Sequence, residues 1–125
     1  MDIISEYIQN IAYMKLSNDD FGDKKKVKNS NRLTIRNRKI VSLIEKTHYE
    51  LKDDFVKLLD SDNEEVKRWV AHHVLEIMTV DAPIRKKALS IIEYESKYHE
   101  DAPTRMGNTI YLKKYYGEHP EDKDL

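Results

Sequence analysis

His72, His73 and Glu76 stand within five positions of one another, and a histidine with an acid four residues on can meet one ion from a single helical turn. At about 100° per residue the three do not converge. His73 falls between Val66 and Trp69 on an apolar face, whereas His72 joins Glu65 and Glu76 on a polar one. The pattern therefore predicts a hydrogen-bonded core histidine at 73 and a solvated partner of Glu76 at 72, with no metal centre. Paired carboxylates occur at Asp19 and Asp20, Asp53 and Asp54, and Glu64 and Glu65. Neighbours on a helix diverge by the same angle, so these pairs read as surface charge and not as general acid and base. The sequence has no cysteine, Gly-rich phosphate loop, nucleophile elbow or zincin motif. It is expected to be no enzyme and to hold no cofactor.

Charge is the more telling feature. The 125 residues sum to -1 with 36% charged side chains, yet the signs are segregated. Residues 24–39 contribute +8 and residues 40–65 contribute -5. The basic block "KKKVKNSNRLTIRNRK" holds Lys24, Lys25, Lys26, Lys28, Arg32, Arg36, Arg38 and Lys39 with no acid, enough to neutralise several phosphates. It lacks interleaved aromatics for base stacking. A solvated helix face balanced by the acidic flanks explains it as well, and nucleic-acid binding stands as the alternative. The opening "MDIISEYIQN" is acidic where a signal peptide is basic, and no apolar run approaches the ~20 residues of a membrane span. The expectation is a cytoplasmic chain without membrane association, in keeping with the missing disulfide framework.

Scarce glycine and proline, together with apolar residues at steps of three and four, predict an all-α fold of about six helices. The first helix covers Ile3 to Leu16, with Ile4, Ile8, Ile11, Ala12 and Leu16 inward, and "SNDDFGD" stops it. The second begins near Gly22 or Asp23 and runs toward Thr47, burying Val27, Leu33, Ile40, Leu43 and Ile44; its weak helix formers "KNSNR" allow a break. The third spans His48 to Leu59, with Leu51, Phe55, Leu58 and Leu59 inward. Asp62, with Glu65 three residues on, caps a fourth from Glu64 to Met78. The frames "DAPIRKK" at 81–87 and "DAPTRMG" at 101–107 each put an Asp cap before a Pro in the first helical turn, where its missing N–H leaves no bond unmade. They mark the starts of a fifth helix, fading near Tyr98, and a sixth, through Tyr116 to a stop at Gly117. The doubled frame is thus architectural. Residues 1–117 read as one domain and 118–125 as a charged, frayed tail. Among the late tyrosines, Tyr94, Tyr98, Tyr111, Tyr115 and Tyr116, about half belong to the core, and any left exposed are candidate interface anchors.

The stretch "LLDSDNEEVKRWVAHHVLEI", Leu58 to Ile77, resembles the centre of a HEAT-like repeat, in Leu58, Leu59, Asp60, Asp62, Val66, Lys67 or Arg68, Ala71 and Leu75. Val66, Val70, Val74 and Ile77 make one face of that helix, and Ala71, Leu75 and Met78 a second, so burial on two sides is expected. From about residue 5 to 117 the chain is similar to a bacterial domain family built as a short HEAT-like array. It departs from that pattern in its doubled basic pair Lys67 and Arg68 and in the bulky "VAHH" after Trp69. Small cysteine-free members of this type look like immunity proteins of contact-dependent and polymorphic toxin systems. What the resemblance implies is an immunity protein that binds a cognate toxin, expected to be a nuclease with a basic cleft, and blocks it by protein contact. The acidic stretch, with Asp53, Asp54, Asp60, Asp62, Glu64 and Glu65, is then the expected toxin-binding surface, since opposite potentials speed encounter and fix register.

Overall fold

A computed structural model describes residues 2–18 and 24–125. Among these the fold is all-α, with six α-helices and no strand: α1 (Ile3–Asn18), α2 (Lys24–Lys46), α3 (Lys52–Val56), α4 (Glu64–Ile77), α5 (Ala82–Tyr98) and α6 (Ala102–Glu118). Short 3-10 helices lie at Tyr49–Leu51, Lys57–Asp60 and Pro120–Asp124. The predicted third helix is therefore a short α-helix between two tighter turns. Asp19, Asp20, Gly22 and Asp23, to which the first helix stop and the second helix start were assigned, lie outside the described residues. No helix among the described residues is long and apolar enough to cross a membrane. Contacts group the chain into two compact units, Met1–Lys57 and Leu58–Leu125.

In the first unit, Asp2 caps α1 by accepting the Ser5 N–H at 2.9 Å, and α1 packs along α2. Tyr7, Ile11 and Met14 are the buried apolar residues of α1. Of the predicted stripe, Ile11 is buried and Ile4 half-buried, but Ile8, Ala12 and Leu16 are exposed. Two stripes on this helix are apolar at helical spacing, and packing against α2 and α3 selects the one whose Tyr7 ring meets Phe55 edge to face at 5.0 Å. α2 is unbroken across "KNSNR" and buries Ile40, Val41 and Ile44, while Val27 stays exposed. Between the helices, Asn37 is completely buried; its side-chain amide donates to the Tyr7 carbonyl at 3.1 Å, and its Oδ1 accepts from Asn10 at 2.9 Å. A buried amide with its bonds made fixes the register of α1 on α2 more strictly than apolar contact does.

In the second unit, four-residue and three-residue links between α4, α5 and α6 turn the chain back on itself, and α5 packs against both neighbours. Asn63 caps α4, accepting the N–H groups of Glu65 and Val66 at 3.0 and 3.2 Å. Asp62, predicted for that role, is exposed instead. Both residue types cap well, and the choice rests on which one the preceding turn leaves extended. Asp81 and Asp101 cap α5 and α6 as predicted, accepting from the Ile84 N–H at 3.3 Å and the Thr104 N–H at 3.0 Å. The arginines of the doubled frame add a second device: Arg85 donates back to the Val80 carbonyl at 2.8 Å and Arg105 to the His99 carbonyl. Each therefore ties the link before its helix to the helix itself. Gly117 lies within α6 and not at a stop.

The end of the chain does not fray. In the 3-10 helix Pro120–Asp124, the carboxylate of Asp122 is buried, accepting from the Tyr115 hydroxyl at 2.6 Å and from Arg85 at 3.1 and 3.2 Å. Desolvation raises its pKa, but the bonds from Tyr115 and Arg85 outweigh that and hold it below the ordinary aspartate value of 3.8.

Candidate functional site

The six acids expected to contact a partner divide by location. Asp53 and Asp54 are exposed on α3 in the first unit, with Asp54 3.9 Å from the Lys57 ammonium. Asp60, Asp62, Glu64 and Glu65 belong to the second unit. Glu65 is committed to structure, receiving Arg68 Nη1 at 3.1 and 3.2 Å on its two oxygens. The other three come together at a groove of about 550 Å³ between the turn before α4, the start of α4 and one side of α5. Asp60 pairs there with Lys87, whereas Asp62 and Glu64 make no ion pair among the described residues.

α5 supplies the other wall of this groove, a juxtaposition that sequence reasoning did not place, although it named Tyr94 as an interface anchor if exposed. Ile91, Tyr94 and Glu95 line the groove beside Leu59 and Lys67. Tyr94 is 63% exposed and its ring lies 5.0 Å from that of Tyr98, also exposed. Glu95 is only 4% exposed because it continues the buried stripe Ala88, Leu89 and Ile92 at a step of three. An acid in phase with an apolar stripe was the signal available in the sequence. Its Oε2 accepts from Arg68 Nε at 2.6 Å, and Arg68 Nη2 sits 2.8 Å from His99 Nε2. Arg68 thus gathers Glu65, Glu95 and His99 behind the groove and fixes the α5 wall to α4.

His73 is buried, with its ring 5.7 Å from Trp69. His72 is not a solvated partner of Glu76. It is half-buried against α6, its Nε2 3.2 Å from Asn108 Oδ1 and its ring 4.4 Å from that of Tyr111. Burial pushes its pKa below the usual histidine value, against the opposing pulls of Asn108 and the Glu76 charge. Among the described residues no three histidine or acidic side chains gather as a metal-binding group. Of the late tyrosines, Tyr115 is buried, Tyr111 and Tyr116 are half-buried, and Tyr94 and Tyr98 are exposed.

The basic block presents seven of its eight side chains to solvent, Lys24, Lys25, Lys26, Lys28, Arg32, Arg38 and Lys39. Arg36 is the exception, held by Glu6 through a two-point bond at 2.7 and 3.0 Å. Within the first unit Lys26 and Arg32 line a groove of about 340 Å³ together with Tyr13 of α1, whose ring is half exposed. The aromatic absent from the block's own sequence is therefore supplied by its neighbouring helix. No family model, curated protein or solved structure matches the chain.

Proposed function

We propose that this protein is an immunity protein, a HEAT-like binding module that occupies a basic cleft of a cognate bacterial toxin in the cytoplasm and so neutralises it. The groove of the second unit supports this reading. Two carboxylates without ion pairs among the described residues, Asp62 and Glu64, stand there beside an exposed tyrosine. Acids of this kind steer a basic partner into register, and a rigid aromatic with a polar tip is the side chain that most often anchors such a contact. Asp53 and Asp54 offer further exposed negative charge on the first unit.

The test is the paired reversal Asp62→Lys with Glu64→Lys. Affinity for a purified cognate toxin domain should fall by about tenfold or more, chiefly through slower association, while the unfolding midpoint stays put. Unchanged affinity at matched salt removes this surface from the reading, and failure of the unaltered protein to protect cells from that toxin removes the reading itself.

A second reading has its own support, the seven solvent-exposed basic side chains of α2, two of which line a groove with Tyr13. Here the protein binds single-stranded nucleic acid, with phosphates on Lys26 and Arg32 and a base on the tyrosine ring. Binding of a labelled oligonucleotide should then weaken steeply with added salt and weaken again in Tyr13→Ala. Absence of binding at low salt ends this alternative.

A further inference from the structure

Glu95, one of the residues lining the acidic groove, carries a buried acceptor that no described residue uses. Glu95 is 4% exposed, and while its Oε2 takes Arg68 Nε, its buried Oε1 receives no hydrogen bond among the described residues. Arg68 reaches the Glu95 carboxylate only at Oε2, through Nε, while its Nη1 is turned to Glu65. Lys67 and Lys87 share the groove, yet neither pairs with Glu95, and Lys87 is held by Asp60. A buried carboxylate oxygen without a donor is costly enough that native structures seldom keep one, and where one persists a ligand is among the reasons to look for.

The surroundings specify the donor. Four carboxylates line the groove against two ammonium groups, a formal charge of -2, so a cation is favoured and an anion opposed. Leu59, Ile91 and the Tyr94 ring give an apolar wall that suits an aliphatic stem. A planar guanidinium stacks on an aromatic face and carries five N–H donors, enough to serve more than one carboxylate at once, which a single ammonium does less well. The volume lies within the range of about 300–1,000 Å³ typical of sites for small ligands.

We propose that this groove is a receptor for an arginine side chain presented by a partner protein, with Glu95 Oε1 as the inner acceptor, Asp62 and Glu64 as the outer ones, and Tyr94 as the stacking surface. The proposal deepens the reading of the chain as a toxin-binding module, and it is testable without any toxin. The full chain is titrated with N-acetyl-arginine methylamide and followed by amide NMR, beside the lysine analogue and the uncharged citrulline analogue. Saturable shifts are expected at Glu64, Ile91, Tyr94 and Glu95, with the lysine analogue weaker and the citrulline analogue silent.

Asp62→Asn with Glu64→Gln should reduce arginine affinity by about fivefold or more, whereas Asp53→Asn on the first unit should leave it unchanged. Glu95→Gln should reduce it also; if that variant does not fold, Tyr94→Ala on the exposed wall decides. Shifts that never saturate, that map elsewhere, that appear equally with citrulline or lysine, or that survive the Asp62 and Glu64 changes overturn the proposal. Arginine binding in a protein that captures no toxin sustains the groove and sinks the immunity reading. Toxin binding that persists after Asp62→Asn, Glu64→Gln and Tyr94→Ala are combined does the reverse.

Discussion

Arg68→Ala should destabilise the second unit by about 3–5 kcal/mol, the usual cost of removing one partner from a buried ion pair. The reason lies with the group left behind. Glu95 is buried and already has one oxygen without a donor among the described residues, so losing the 2.6 Å bond to Arg68 Nε strands the whole carboxylate in the core. Glu65 and His99 lose their shared partner at the same time. In urea unfolding followed by circular dichroism the midpoint should drop sharply, with a fall in Tm on the order of 10 °C or more.

Two companion variants separate charge stranding from simple loss of packing. Arg68→Met combined with Glu95→Met should regain most of the deficit, because an apolar pair of similar volume needs no desolvated charge. Arg68→Lys should fall between, since one ammonium cannot hold three partners in the planar arrangement of a guanidinium. A loss below about 1 kcal/mol in Arg68→Ala, the range of exposed pairs, would mean that the Glu95 site is open to water.

Asp122→Ala should cost about 2–3 kcal/mol, and removal of residues 119–125 a similar amount, although a charged chain end ordinarily contributes nothing. The Tyr115 hydroxyl would be left in the interior without its acceptor, and Arg85 would keep only the Val80 carbonyl. Acid should expose the same contact. The folded pKa of Asp122 is depressed, so its contribution is complete above the ordinary value of 3.8 and is lost as pH falls through the lower folded value. Stability measured from near neutrality down to about pH 3 should thus fall less steeply in Asp122→Asn than in the unaltered protein. Equal slopes would remove the carboxylate from the account, and a deletion without effect would restore the picture of a frayed tail.

The readings that succeeded rest on short-range chemistry. Asp81 and Asp101 were legible as caps because a side-chain oxygen reaches an N–H three residues on and the proline two residues after each cap presets its dihedral. The buried residues Val66, Val70, Ala71 and Val74 of α4 were legible because a helix that must be covered repeats apolar residues at its own period. Where two local solutions were equally good, the residues alone did not choose. Asp62 and Asn63 are both strong caps, and α1 carries two apolar stripes; the turn before α4 and the packing of Phe55 on Tyr7 decided between them.

The groove belongs to another category. Asp60, Asp62 and Glu64 were marked by their charge, but Tyr94 and Glu95 come from a helix that begins eighteen residues beyond Glu64, and no periodicity relates them. The same holds for Arg68 with Glu95, Arg85 with Asp122, and Tyr13 with Arg32. Composition, spacing and capping chemistry were enough to specify an all-α chain, most of its helix starts and the sign of its surface, since each is settled within a turn or two of backbone. Which charges are buried, which are paired and which are left with an unused acceptor was decided by packing, because the free energy of a carboxylate depends on what is brought within about 4 Å of it and how much water is excluded there.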